Sequence, residues 1–229
     1  MRLAYGDLIG GISGDMFVAA MIDLGLPLGK LRAELKTIPT LKFALRTSKN
    51  SVHAVRATRF QVICPRQEAP RSWPQIRGLI GRSKLSPEIK ATSIEIFAQL
   101  AQAEAKIHGV ALDKVHFHEV GATDSIVDIV AAAIGVAELE IARLDFSRIP
   151  LGHGLTRSQH GPLPATGPAT MERRPTNSRS CQGGQAAPTA VASTACRSPS
   201  FRVSVLASPS TPAQLPSLAP NLPFLQHPC

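Results

Sequence analysis

The sequence predicts an α/β or α+β fold, a mixed sheet with packed helices, over about residues 1–170. Three observations lead there. A short apolar strand at the start runs directly into a glycine-rich turn and then an apolar helix. Stretches with period-2 alternation then exchange with stretches of helical period along the chain. Finally, the run from Thr123 to Leu139 has helical length and is apolar on nearly every side, a pattern that only a buried helix tolerates.

Taken in order, Arg2–Ile9 is the first strand, Gly10-Gly11-Ile12-Ser13-Gly14 the turn, and Asp15–Leu24 the helix that follows. A second helix covers Leu28–Ile38. Phe43–Ser48 and Val55–Ile63 form a hairpin about the turn-prone Lys49-Asn50-Ser51. Beyond a Pro-flanked link, Pro65–Ser72, a short helix spans Trp73–Gly81. A longer one spans Pro87–His108, with Ser86 as N-cap, Pro87 at the first helical position and Gly109 as the stop. After the Thr123–Leu139 helix, Leu144–Pro150 reads as a further strand, and Leu151–Pro168 is rich in Gly, Pro and Thr.

Composition changes at Met171. From there on the only acidic residue is Glu172, there is no Lys, and Pro, Ser and Ala dominate. Five arginines against that glutamate give this tail +4 of the formal +9. Residues 171–229 are therefore expected to be a disordered, low-complexity segment, or the product of a reading-frame slip after Thr170. The +5 left to the rest of the chain (9 − 4) is weak evidence for nucleic acid as a partner, the more so with few aromatic residues to stack on bases. Three of the four cysteines lie in the tail and Cys64 stands alone, so no disulfide framework is expected. No apolar run approaches the roughly 20 residues of a membrane span, so no membrane partner is expected and the cytoplasm is the default location.

The densest group of potential metal ligands is His116-Phe117-His118-Glu119, followed by Asp124 and Asp128, with His108 upstream. Histidines at i and i+2 of an extended segment point the same way and can reach one ion; exposed loop histidines are the alternative. Imidazole with carboxylate suits nickel or zinc better than magnesium. On the following helix, Asp124, Asp128, Ala131 and Gly135 share one narrow stripe. The helix dipole accounts for Asp124, but Asp128 lies a turn further in. There a carboxylate needs a cation, a buried Arg or a backbone donor. The small residues below it admit a close neighbour, either a ligand or another helix. On the helix ending at His108, Glu104 falls within the core stripe of Ile89, Ile96, Phe97, Leu100 and Ile107. It is expected to orient a histidine, His108 being that histidine or a ligand itself. At the front, Asp7 ends the strand, and the turn before Asp15 has backbone N–H groups able to cradle an anion; a simple capped turn is the alternative.

Gly11-Ile-Ser-Gly-Asp-Met16, Ala103-Glu-Ala-Lys-Ile-His-Gly109, Val115-His-Phe-His-Glu-Val-Gly-Ala122 and Asp124-Ser-Ile-Val-Asp-Ile129 together resemble the LarC nickel-insertion family. Pro150-Leu-Gly152 and Gln159-His-Gly-Pro-Leu-Pro164 extend the likeness, which runs from about Arg2 to Thr170. The resemblance implies a cytoplasmic enzyme that inserts nickel into pyridinium-3,5-bisthiocarboxylic acid mononucleotide. The product is the nickel-pincer cofactor of lactate racemase, and the reaction uses CTP with magnesium or manganese. It implies metal ligands among His108, His116, His118, Asp124 and Asp128, and catalytic carboxylates among Glu119, Asp128 and Glu104. Contacts to the mononucleotide fall to Asp7, Gly11, Ser13, Gly14, Asp15 and His160. Residues 65–72 lack the family's histidine-rich run, and the family's CTP-binding half has no counterpart after Met171. The chain is therefore expected to be a truncated form served by a separate CTP-binding chain. Two other functions fit the same residues: a metal-binding or assembly module without turnover, and a metal-dependent hydrolase built on His116, His118 and Asp128.

Overall fold

In a computed structural model of the chain, the described residues are 2–8, 11–52, 55–64, 71–117, 120–147, 155–158, 161–164 and 201–207. The fold is α/β, as expected. Strand β1 (Arg2–Leu8) leads through the glycine turn into helix α1 (Gly14–Asp23), and α2 (Leu28–Leu35) follows. Strands β2 (Ala44–Val52) and β3 (Val55–Ile63) form an antiparallel hairpin. Helices α3 (Trp73–Gly81), α4 (Pro87–His108) and α5 (Thr123–Glu138) lead to β4 (Ile141–Phe146). Strands β5 (Leu155–Ser158) and β6 (Gly161–Pro164) make a second hairpin, and β7 (Phe201–Ala207) is the last described element.

The main sheet has the order β4-β1-β7, with β4 parallel and β7 antiparallel to β1. Its registry is closed at one end by Ser147, whose N–H donates to the Gly6 carbonyl at 2.9 Å and whose Oγ accepts the Leu8 N–H at 2.7 Å. Along β1 the residues Ala4, Gly6 and Leu8 are buried while Leu3 and Tyr5 are exposed, the alternation of a sheet covered by helices on one face. Helix α5 is the centre of the core. Every residue from Ser125 to Gly135 except Asp128 is buried, and α1, α2, α4, β3 and β4 all pack against it. Phe97 on α4 and Phe117 add an edge-on ring pair with centroids 6.0 Å apart.

Four expectations need correction. Lys49-Asn50-Ser51 is not the hairpin turn: these residues continue β2, paired with Thr58, Ala57 and Arg56, and Val52 pairs with Val55. Strand β4 begins at Ile141, three residues before the expected start, because parallel pairing with β1 sets its register from Arg2 onward. Ile107, assigned to the core stripe of α4, is 39% exposed, since the last turn of that helix projects past the core. Within the tail, residues 201–207 form a strand rather than an unstructured run. Its alternation places Phe201, Val203 and Val205 opposite the buried Leu8, Gly6 and Ala4 of β1. Among the described residues, no helix is long and apolar enough to cross a membrane.

Candidate functional site

The site begins where α1 crosses α5. Both helices carry a glycine at the crossing, and each glycine accommodates a side chain of the other helix. A Cβ on Gly14 would lie 2.7 Å from the Cβ of Asp128 and 3.0 Å from its Oδ2. Two turns along, a Cβ on Gly135 would lie 3.0 Å from the Cγ of Met21. The stripe of Asp128, Ala131 and Gly135 is thus the seat of α1, so the close neighbour it admits is a helix.

Asp128 is what helix packing does not explain. Its Oδ1 is buried without a hydrogen-bond partner among the described residues, so none of their Arg side chains or backbone donors satisfies that atom. Burial first, then the negative charges of Asp15 and Asp124, push its carboxyl up from 3.8 to about 8. Asp128 therefore holds a proton at neutral pH, and a cation beside it would release that proton. Asp124 lies exposed in the first turn of α5, where its Oδ1 accepts the Ser125 N–H at 2.8 Å. Asp15 occupies the first turn of α1, and its Oδ1 accepts both the Met16 N–H at 2.9 Å and the Ser13 hydroxyl.

Those contacts change the reading of the glycine turn. Gly11 does adopt a left-handed conformation, with φ of 88°. Ser13, however, spends its hydroxyl on Asp15, and Gly14 is needed for the approach of Asp128. The charges of Asp15 and Asp124, which both act on Asp128, oppose a bare phosphate here and favour a cation, or an anion that arrives with one. Asp7 is half-buried near the end of β1 and pairs in register with Arg202 of β7.

The histidine segment is held from the other side. Val115 and Phe117 are buried and His116 between them is exposed, the alternation expected of an extended segment. It pairs with the residues before α3: the Trp73 N–H donates to the Val115 carbonyl at 3.0 Å, and the Phe117 N–H to the Arg71 carbonyl at 3.2 Å. His116 forms the antiparallel bridge with Ser72 between those bonds. His118, Glu119 and His160 lie outside the described residues. Glu104 and His108 form the expected i, i+4 pair at 3.2 Å, with Glu104 only partly buried. Among the described residues no three His, Cys, Asp or Glu side chains converge closely enough to hold a metal ion.

Two features were not anticipated from the sequence. Gly14 was assigned to the anion turn and not to helix packing, because its partner lies on a distant helix. Arg71, in the Pro-flanked link, reaches the loop before α5: its Nη1 lies 3.3 Å from the Gly121 carbonyl and 3.2 Å from the Thr123 hydroxyl. No local pattern marks such a contact in the sequence.

The sequence profile described as nickel insertion protein matches residues 4–209, a span that passes Met171 and includes β7. A protein of Geobacter sp. (strain M21) is 45% identical over 196 residues, 84% of this chain and 51% of its own length. The pyridinium-3,5-bisthiocarboxylic acid mononucleotide nickel insertion protein of Geobacillus kaustophilus (strain HTA426) is 44% identical over 182 residues, 75% of this chain and 44% of that one. Its namesake in Desulfitobacterium hafniense (strain DSM 10664 / DCB-2) is 40% identical over 195 residues, 84% of this chain and 48% of that one. The chain spans about half the length of the curated relatives it matches. No solved structure matches it.

Proposed function

The chain belongs to the nickel insertion protein family, and from that premise we propose that it takes nickel as a substrate and places it in pyridinium-3,5-bisthiocarboxylic acid mononucleotide, the compound named in its relatives. The observation that carries this reading is Asp128, a buried carboxyl with an unsatisfied oxygen and two further carboxylates beside it. A carboxyl in that state can exchange its proton for a cation. Nickel is supplied from His116 and His118 together with Asp124, a nitrogen and oxygen set that holds a borderline metal while leaving positions open for sulfur.

Forming the pincer product requires two sulfur bonds to nickel and one bond from nickel to a ring carbon, which loses its hydrogen as a proton. In the resting protein Asp128 is protonated. Arrival of nickel beside it stabilises the carboxylate and expels that proton. The freed carboxylate then accepts the ring proton as the carbon–nickel bond forms. Nickel lowers the carboxyl from its metal-free value of about 8, and the burial that raised it keeps it a stronger base than an exposed carboxylate beside the same ion. Gly14 lies directly against Asp128 and the charge of Asp15, which accepts the Ser13 hydroxyl, acts on it; Glu119 is the second carboxylate near the histidines in sequence.

CTP, with magnesium or manganese, belongs to the same proposal, as does service to a lactate racemase. The test is cofactor formation from nickel, magnesium or manganese, CTP and the mononucleotide, followed spectroscopically with and without the C-terminal half of a full-length relative. Asp128→Asn should lower the rate at least about 100-fold, the usual scale for loss of a positioned base. A rate within twofold of the unaltered protein would remove Asp128 from the reaction.

A further inference from the structure

We propose that Arg71 is the positioning residue of the nickel-donor loop, fixing the histidine segment against the aspartate-bearing end of α5. The inference rests on the reading of that loop as a nickel donor and names a residue which that reading does not include.

Residues 117–123 join the two parts of the candidate site, and Arg71 holds both ends of that loop. Its backbone carbonyl accepts the Phe117 N–H at 3.2 Å, fixing the start of the loop directly beside the exposed His116. Its guanidinium donates from Nη1 to the Gly121 carbonyl at 3.3 Å and to the buried Thr123 hydroxyl at 3.2 Å, fixing the end. Thr123 is the first residue of α5, so the same contact sets where Asp124 begins. Gly121 is drawn tightly onto this arginine. A Cβ on Gly121 would lie 2.8 Å from the Arg71 nitrogen, 3.0 Å from its carbonyl oxygen and 2.6 Å from the Phe117 carbonyl oxygen. Only glycine permits so close an approach of two backbone segments.

The residue type also matters. A planar guanidinium with several donors can satisfy a carbonyl and a hydroxyl at once and hold the angle between them, whereas a lysine ammonium holds one point. Metal donors borne on a loop must be held to within a fraction of an ångström, and the groups that orient them are worth about 10- to 100-fold in metal affinity. The loop between Phe117 and Thr123 carries His118 and Glu119, and one residue spans it from end to end.

The test is calorimetric titration of the full chain with nickel chloride, well below each variant's melting temperature, for Arg71→Ala, Arg71→Lys and Thr123→Val beside the unaltered protein. The nickel absorption spectrum at saturation is recorded for each. Arg71→Ala should weaken nickel binding at least about 10-fold and shift the spectrum, with Arg71→Lys recovering part of both. Thr123→Val keeps the side-chain shape, removes one acceptor and should weaken binding by a smaller factor even if Arg71→Ala does not fold. A lower melting temperature with unchanged nickel affinity and spectrum in the folded Arg71 variants and in Thr123→Val would make Arg71 merely structural and overturn the proposal. The double variant His116→Ala/His118→Ala separates the two readings. If that variant loses nickel while the Arg71 variants do not, only the positioning role fails; if it binds nickel as before, the donor-loop reading fails and Arg71 with it.

Discussion

Replacing Asp128 with Asn should raise stability relative to the unaltered protein progressively as pH increases. The Asp128 carboxyl is raised from 3.8 to about 8 in the folded chain. In the unfolded chain it loses its proton near the ordinary value. A raised folded value means that its contribution to stability is fully present below about pH 4, declines as pH rises, and is gone above about pH 8. The slope in that window is about 1.4 kcal/mol per pH unit for one proton. Between pH 5 and 8 the difference between the two proteins should therefore move by about 4 kcal/mol in favour of Asp128→Asn, and then level off. The buried amide brings its own cost, but that offset does not titrate, and other groups cancel in the difference. Urea unfolding of both proteins at half-unit intervals from pH 5 to 9 measures the slope. Parallel stability curves would show that Asp128 is not protonated in the folded protein, and the reasoning built on it would fail.

Gly14→Ala places a methyl 2.7 Å from the Cβ of Asp128, so α1 must lift from α5; a loss of about 1–3 kcal/mol in thermal or urea unfolding is expected, with weaker nickel binding. Glu104→Ala breaks a partly exposed pair with His108 and should change stability by less than about 0.5 kcal/mol by the same measurement. His116→Ala/His118→Ala should reduce nickel affinity in calorimetry. The affinity of the unaltered protein should fall on acidification, because imidazole ligands must be neutral to bind metal. Ending the chain at Thr170 removes the seven-residue pairing of β7 with β1 and should cost more than about 2 kcal/mol in urea unfolding; an unchanged midpoint would show that the pairing contributes nothing.

Much of this fold is legible where the signals are local. Helix α4 has its expected bounds because Ser86, Pro87 and Gly109 specify both ends without help from the rest of the chain; the Ile89 N–H donates to the Ser86 Oγ, and Gly109 takes the left-handed conformation. Elements set by distant partners are less legible. The start of β4 follows from its register with β1, which no window of sequence contains. The alternation of Phe201, Val203 and Val205 is present in the sequence, but seven residues within a run of Pro, Ser and Ala do not stand out. The same division holds at the site. That Asp128 is costly follows from its place on an apolar helix, and its unsatisfied oxygen agrees. That Gly14 makes room for it, or that Arg71 closes the loop before α5, depends on contacts between segments far apart in the chain.

The central claim, that nickel acts on the proton held by Asp128, is tested most directly by counting protons released on nickel binding. Calorimetric titrations at pH 7 in buffers of different ionisation enthalpy give that count for the unaltered protein and for Asp128→Asn. With the carboxyl at about 8, Asp128 carries its proton at pH 7 about nine times in ten, so the unaltered protein should release close to one proton more than the variant. Equal counts, with nickel bound by both, would contradict the account.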